Sequence, residues 1–381
     1  MHRFLLGLML MTTPPTTQPL PPFDLEHVKR ADAAIEDAIA QRKTPGAVLL
    51  VGRGEEIVYF KAYGNRAVEP QIEPMTTDTV FDLASMTKPI ATATSVMILA
   101  ERGKLDLHAP VARYIPEFTQ NGKDAVTVEQ LLLHRGGLIA DNPLKDYENG
   151  PDEALRKIWA LKPKHPPGTK FEYTDVGPIV LGELVRRVSG KRLDEFARDE
   201  IFVPLGMSQT SFAPLDDARL TRCAPTEKRD GRFMLGEVHD PRAYALGGVA
   251  GHAGLFGTAQ DASRWCRMMI RGGKLDGRRI LRGDTIGQMT TMRCLPDGTG
   301  CRGYGLDIDT SFSSCRGQRF ARGTTFGHTG YTGTMFWIDP VNRCYFILLT
   351  NRVHPDGKGD VKELRKQVAT IVAEALLGPA E

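Results

Sequence analysis

The chain has 381 residues, is 41% hydrophobic and 25% charged, and carries a formal net charge of +3. This length buries a sizeable core in one compound domain or two smaller ones, and the composition excludes fibrous and disordered classes. With 49 basic against 46 acidic residues, no polyanionic partner is implied, and no nucleic acid is expected as a ligand.

The N-terminus, MHRFLLGLMLMTTPPTTQPLPP, places Arg3 before the apolar stretch Phe4–Met11 and a Thr/Pro-rich segment. Residues 1–23 read as a signal peptide or a disordered leader. Export to the periplasm or the exterior is the expectation, with a cytoplasmic protein carrying a disordered leader as the alternative. The apolar run is shorter than the roughly 20 residues needed to span a bilayer. Membrane association would come only through an uncleaved N-terminal segment. From Asp24 to Arg42, Leu25, Val28, Ala31, Ile35 and Ile39 fall on one helical face. PGAVLLVGRGEEIVYFKAYG then reads as two strands turning at Gly52–Glu55.

The middle of the chain is mainly helical, broken by Pro/Gly loops such as KPKHPPGTKF. Strand chemistry returns in YGLDID, GTMFWID and RCYFILLTN, and a closing helix carries Val361, Leu364, Val368, Ile371 and Leu376. Two strands alone are marginal in water, so the first hairpin must join the last strands. The expected fold class is α/β of the α+β type: an antiparallel sheet flanked by the N- and C-terminal helices, with a mainly helical insertion. Residues 24–84 and 273–381 form the sheet domain, 85–272 the helical domain, and an active site lies between them.

FDLASMTKPIATATSVMILAERG, Phe81 to Gly103, begins with Ser85 and Lys88 ahead of a long apolar run. Three residues apart on a helix, the two side chains share a face. A serine hydroxyl is a weak nucleophile and needs a neighbouring base. A lysine can serve only if burial or another cation lowers its pKa from about 10.4. The apolar surroundings predict a buried central helix that supplies such a pocket, and its N-terminus offers N–H groups to a developing oxyanion. A Ser-x-x-Lys pair alone is a weak motif; an ordinary core helix is the competing reading.

Two further stretches add weight. Tyr173-Thr174-Asp175 stands in a loop before a helix that ends at Gly190, and His328-Thr329-Gly330 stands at the head of a strand. Ser-x-x-Lys, Tyr-x-Asp and His-Thr-Gly in this order resemble the three boxes of the serine β-lactamase and penicillin-binding protein superfamily. The tyrosine points to the class C β-lactamase-like branch, which also holds DD-peptidases, D-amino-acid amidases and peptidases, and family VIII carboxylesterases. The resemblance covers nearly the whole chain from Asp24.

That resemblance implies roles. Ser85 attacks and becomes the acyl ester. Lys88 and Tyr173 share the proton work, titrating as a pair. The N–H groups of Ser85 and Tyr331 form an oxyanion hole. His328, Thr329 and Gly330 line the pocket and bind a substrate carboxylate or carbonyl. Two departures stand out. Asp175 replaces the usual Asn and offers acceptors only, so it either pairs with Lys88 or meets a substrate amine. His328 replaces lysine and is mostly neutral at pH 7. Both argue against an efficient β-lactamase. The implied function is a serine hydrolase acting through an acyl-enzyme on an amide or ester, of a peptidoglycan-like peptide or related small substrate. A broad-scope carboxylesterase or weak β-lactamase is the alternative, and a non-catalytic binding or sensor protein of the same fold is the rival of another class. No cofactor is implied.

Other candidates carry less. His252, among glycines in GGVAGHAGLFG, is a candidate substrate-binding residue or a hydrogen-bonded structural histidine. His134 reads as a helix C-terminal residue before Gly-Gly. His239, Asp240 and His252 have no diagnostic metal spacing, and no metal is expected. Of six cysteines, Cys294 and Cys301 either close a loop or stay free. Arg264, Arg267, Arg271, Lys274 and Arg278 form a solvated basic face or a contact for an anionic polymer.

Overall fold

The strand Gly46–Arg53 is buried along nearly its whole length, and its two-residue period divides its side chains between two cores. In the computed structural model, which describes residues 21–378, Ala47, Leu49 and Val51 face one core and Val48 and Leu50 the other. The neighbouring strand Cys344–Thr350 divides the same way, with Phe346 and Leu348 against Tyr345, Ile347 and Leu349. Such continuous apolar runs mark strands covered on both faces. The leader expected at 1–23 lies, through residue 20, outside the described residues.

One core is closed by the terminal helices. Leu25–Ala40 buries Val28, Ala31, Ile35 and Ala38. Its cap Asp24 accepts from the His27 N–H at 2.8 Å and donates its own N–H to the Ala375 carbonyl of Lys362–Leu377 at 3.0 Å. The other core packs the opposite sheet face on the segment after Ser85 and on Val176–Ser189 and Ala259–Ile270.

The sheet has eight antiparallel strands in the spatial order 301–303, 306–309, 326–329, 335–339, 344–350, 46–53, 56–67, 73–74. The last strands therefore flank the first hairpin, with Leu49 opposite Leu348 and Leu50 opposite Ile347. Three strands were not anticipated as separate elements, the short edge strand Glu73–Pro74 among them. Cys301–Gly303 forms an edge, and Phe326–Thr329 pairs with Met335–Asp339 across a turn at residues 330–334. His328 thus ends one strand instead of opening the next. A second small sheet joins Phe81–Asp82 and Ser211–Phe212 through Leu255–Gly257. Among the described residues no helix is long and apolar enough to cross a membrane.

Cys294 and Cys301 form a disulfide, and Cys223, Cys266, Cys315 and Cys344 are buried free thiols. Two members of the basic stripe are engaged within the protein. Arg264 bonds the Leu205 carbonyl and Asp276, and Arg271 pairs with Glu55.

Candidate active site

Ser85 sits in a single 3-10 turn, Ala84–Met86, and not at the start of a regular α-helix. Ala84 has φ +46°, a left-handed conformation costly for an L-residue and characteristic of functional sites. The surroundings hold it there. The Ala84 N–H donates to Asp82 Oδ1 at 2.8 Å, and Thr87 Oγ1 donates to the Ala84 carbonyl at 2.6 Å. Thr332 and Thr334 donate to the carbonyls of Asp82 and Leu83 at 2.8 and 3.1 Å. The next turn, Lys88–Ala93, is π-helical before Thr94–Glu101 becomes α-helical. Pro89 has no N–H to give the α ladder, and π turns recur at functional sites.

Lys88 is 3% exposed. Its ammonium lies 2.8 Å from Ser85 Oγ, 2.6 Å from Asp175 Oδ1 and 3.2 Å from the His252 carbonyl. Burial pulls its pKa down, but the charge of Asp175 and the Tyr173 phenol outweigh burial and hold it above the usual lysine value. The resting site therefore contains an ammonium, not the depressed amine expected from the sequence. Asp175 takes the first of its two expected partners.

Tyr173 is fixed by rings. It stacks on His134 at 4.6 Å between centroids and meets Phe312 at 5.0 Å and His328 at 6.1 Å, with Lys88 Nζ 4.9 Å from its ring centre. Burial, with the charge of Asp175, holds its pKa above the usual phenol value, and Lys88 and hydrogen bonding with Lys88 and Ser85 only partly offset that rise. The two residues that follow it explain the placement. The Thr174 N–H donates to His134 Nδ1 at 3.2 Å, and the Asp175 N–H to the Ala140 carbonyl at 2.9 Å. His134 is thus a support for the phenol, with φ +54° two residues beyond the helix Val128–Leu132.

His328 is 1% exposed and Nδ1 lies 2.8 Å from the Thr329 carbonyl. A carbonyl only accepts, so Nδ1 carries the proton and Nε2 is an unpartnered acceptor. Burial, then Arg302 and Lys88, push its pKa well below 6.5. The third box thus holds a buried neutral imidazole, and not a cation for a carboxylate.

A cleft of about 510 Å³ opens over these groups. Ser85, Tyr173, His328, Thr329, Gly330 and Tyr331 line it together with Arg352, Lys358, Lys362 and Arg365, and Arg365 and Arg352 donate to the Gly330 and Tyr331 carbonyls at 2.6 and 2.7 Å. Tyr331 is 63% exposed, its ring between His239 at 5.5 Å and the Arg352 guanidinium at 4.4 Å. Asp175 and His252 do not line the cleft. His252 differs from the expectation of a substrate contact: its ring is buried against Asp240 at 2.8 Å, and it reaches the site through its carbonyl. Asp175, Asp240 and His252 bring donor atoms within 4.8 Å of one another, a spacing a metal ion could use. The ammonium of Lys88 already supplies a cation there.

Gly330 fits because it lacks a side chain. A Cβ there would stand 2.1 Å from Thr334 Oγ1 and 2.6 Å from the Leu83 carbonyl. Gly330→Ala should separate the 329–331 edge from Ser85 and lower kcat/KM for an ester about 100-fold, a loss that displacements near 1 Å produce; p-nitrophenyl ester kinetics on the folded variant measure it.

Sequence reasoning missed Arg302, which is 0% exposed, pairs with Asp307 and lies 6.0 Å from the Tyr173 ring. A signal was present: in CRGYGLDID the two residues flank a tight turn and are register partners across it.

This geometry and fold define a serine hydrolase acting on amide or ester bonds. Residues 31–370 match the Beta-lactamase family. The chain is 32% identical over 366 residues to an Escherichia coli (strain K12) protein named "Putative D-alanyl-D-alanine carboxypeptidase", covering 87% of this chain and 84% of that one. A penicillin-binding protein homologue from Caulobacter crescentus shares its fold at TM-score 0.73 and 24% identity, covering 94% of this chain and 100% of that one. A family VIII carboxylesterase does so at TM-score 0.70 and 24% identity, over 94% and 99%. The chain belongs to the Beta-lactamase family.

Proposed function

We propose that Ser85 is the nucleophile of an acyl-enzyme mechanism on the amide bond of a peptidoglycan-like peptide. The observation that carries this is the Lys88 ammonium on the Ser85 hydroxyl, 2.8 Å away at the floor of an open cleft. Lys88 and Tyr173 act together: the cation favours the phenolate, which takes the Ser85 proton and returns it to the leaving group. The N–H groups of Ser85 and Tyr331 receive the oxyanion. Thr329 and Gly330 form the edge along which substrate lies, and the neutral His328 backs that edge without a fixed charge. The cations that line the cleft, Arg352, Lys358, Lys362 and Arg365, suit a free carboxylate on the leaving residue. The cleft lies between a sheet domain, 24–84 with 273–381, and a helical domain, 85–272.

The name of the Escherichia coli relative supports a carboxypeptidase reading. The N-terminal pattern supports export, where such a substrate is found. The neutral third box favours a second reading, a carboxylesterase, because an uncharged ester needs no cation there. A panel of D-alanyl peptides, muramyl peptides, p-nitrophenyl esters and nitrocefin tests both: release of D-alanine at the highest kcat/KM supports the first, and turnover of esters alone overturns it.

Asp175 competes with the Tyr173 phenolate for the Lys88 ammonium, and its charge raises both pKa values. Replacing it with Asn removes that charge, so the shared proton leaves at lower pH. The rising limb of the kcat profile should move to lower pH in Asp175→Asn. An unmoved or alkaline-shifted limb would remove the Lys88–Tyr173 pair from the base role.

A further inference from the structure

The segment from Gly251 to Leu255 clamps the nucleophile's helix from the side. Thr92 Oγ1 donates to the Gly251 carbonyl at 2.7 Å, Lys88 Nζ to the His252 carbonyl at 3.2 Å, and the Leu255 N–H to Thr87 Oγ1 at 3.1 Å. The Leu83 N–H donates back to the Leu255 carbonyl at 2.9 Å. Within this segment only His252 has a long polar side chain, and that ring is 1% exposed with Nε2 2.8 Å from Asp240 Oδ1. Asp240 is itself fixed, because it caps the helix Pro241–Ala245 and accepts from the Ala243 N–H at 2.8 Å. Its neighbour His239 donates its N–H to Asp82 Oδ2 at 2.7 Å, and the other oxygen of Asp82 holds the Ala84 N–H at 2.8 Å. One dipeptide thus braces both the strained turn that presents Ser85 and the carbonyl that receives Lys88.

We infer that Asp240 is a positioning residue for acyl transfer: by holding the His252 ring it sets the His252 carbonyl under Lys88 and so keeps the ammonium on Ser85. It touches neither the cleft nor the reacting atoms. A pocket wall would act on KM; a brace acts on the step in which Ser85 is activated. This inference rests on the proposed role of Ser85.

The test is the rate at which a fluorophosphonate labels Ser85, read by mass spectrometry, together with kcat and KM for a p-nitrophenyl ester. Asp240→Ala is expected to slow labelling and kcat about 100-fold with KM unchanged within about two-fold, the signature of a displaced reactive group. Asp240→Asn keeps an oxygen for the Nε2–H and is expected to lose much less. His252→Phe is expected to match Asp240→Ala, and the double variant to be no slower than either, because coupled residues are not additive. Should Asp240→Ala not fold, His252→Phe against His252→Gln carries the same comparison, the glutamine amide recovering part of the rate. A folded Asp240→Ala labelled within about three-fold of the wild-type rate overturns the inference, as does a loss confined to KM, an Asn variant as slow as Ala, or additive losses. A wild-type protein that takes no label at Ser85 overturns the functional reading, and this inference with it.

Discussion

Ser85→Ala is expected to abolish turnover of every substrate, lowering kcat by about 10⁴-fold or more, the scale seen when a covalent nucleophile is removed. The argument is one of position. Ser85 Oγ stands 2.8 Å from the Lys88 ammonium, on a backbone turn whose left-handed Ala84 and two preceding carbonyls are held by four separate hydrogen bonds. Such strain persists where the surroundings over-determine it. The alanine variant keeps the turn, because those bonds involve the backbone of residues 82–84 and not the serine hydroxyl. Its thermal melting should therefore stay close to that of the parent. p-Nitrophenyl acetate hydrolysis and intact mass after fluorophosphonate treatment measure the two halves of the prediction. Turnover that survives in a folded Ser85→Ala protein would remove the Ser85 acyl-enzyme and place the chemistry on another group.

The sheet was legible because its strands at both ends of the chain are continuous apolar runs of β-branched and aromatic residues. Two strands cannot stand alone, so the partnership of 46–67 with 335–350 followed. The three boxes were legible as sequence because each sits next to a turn or helix boundary that fixes its local geometry. What was hidden belongs to tertiary structure. Nothing in the sequence ranks Asp175 against burial as the influence on Lys88; that ranking depends on a 2.6 Å contact. His134 read as a helix end, and its second use, stacking under Tyr173, appears only when the 170–175 loop folds over it. His252 looked like a ligand contact because glycines surround it, but they serve close backbone packing: a Cβ at Gly251 would lie 1.9 Å from the Pro178 carbonyl. Asp82 and Asp240 gave no signal, since each acts through a backbone N–H or an imidazole on another segment.

Lys88→Met is expected to cost both activity and stability, and a second substitution separates the two. Removing the ammonium deprives Ser85 and Tyr173 of the charge that favours proton loss, and kcat should fall about 10³-fold, within the range for a lost general acid–base partner. It also leaves Asp175 facing a buried site without its cation. Breaking a buried ion pair by deleting one partner costs about 3–5 kcal/mol, and Asp175 keeps 21% of its side-chain surface, so the lower end applies. Adding Asp175→Asn to Lys88→Met removes the stranded charge. The double variant should therefore regain most of the urea midpoint lost by Lys88→Met while its kcat stays as low. Parallel recovery of midpoint and kcat would mean that Lys88 serves only to balance Asp175, and the proton work would pass to Tyr173 alone.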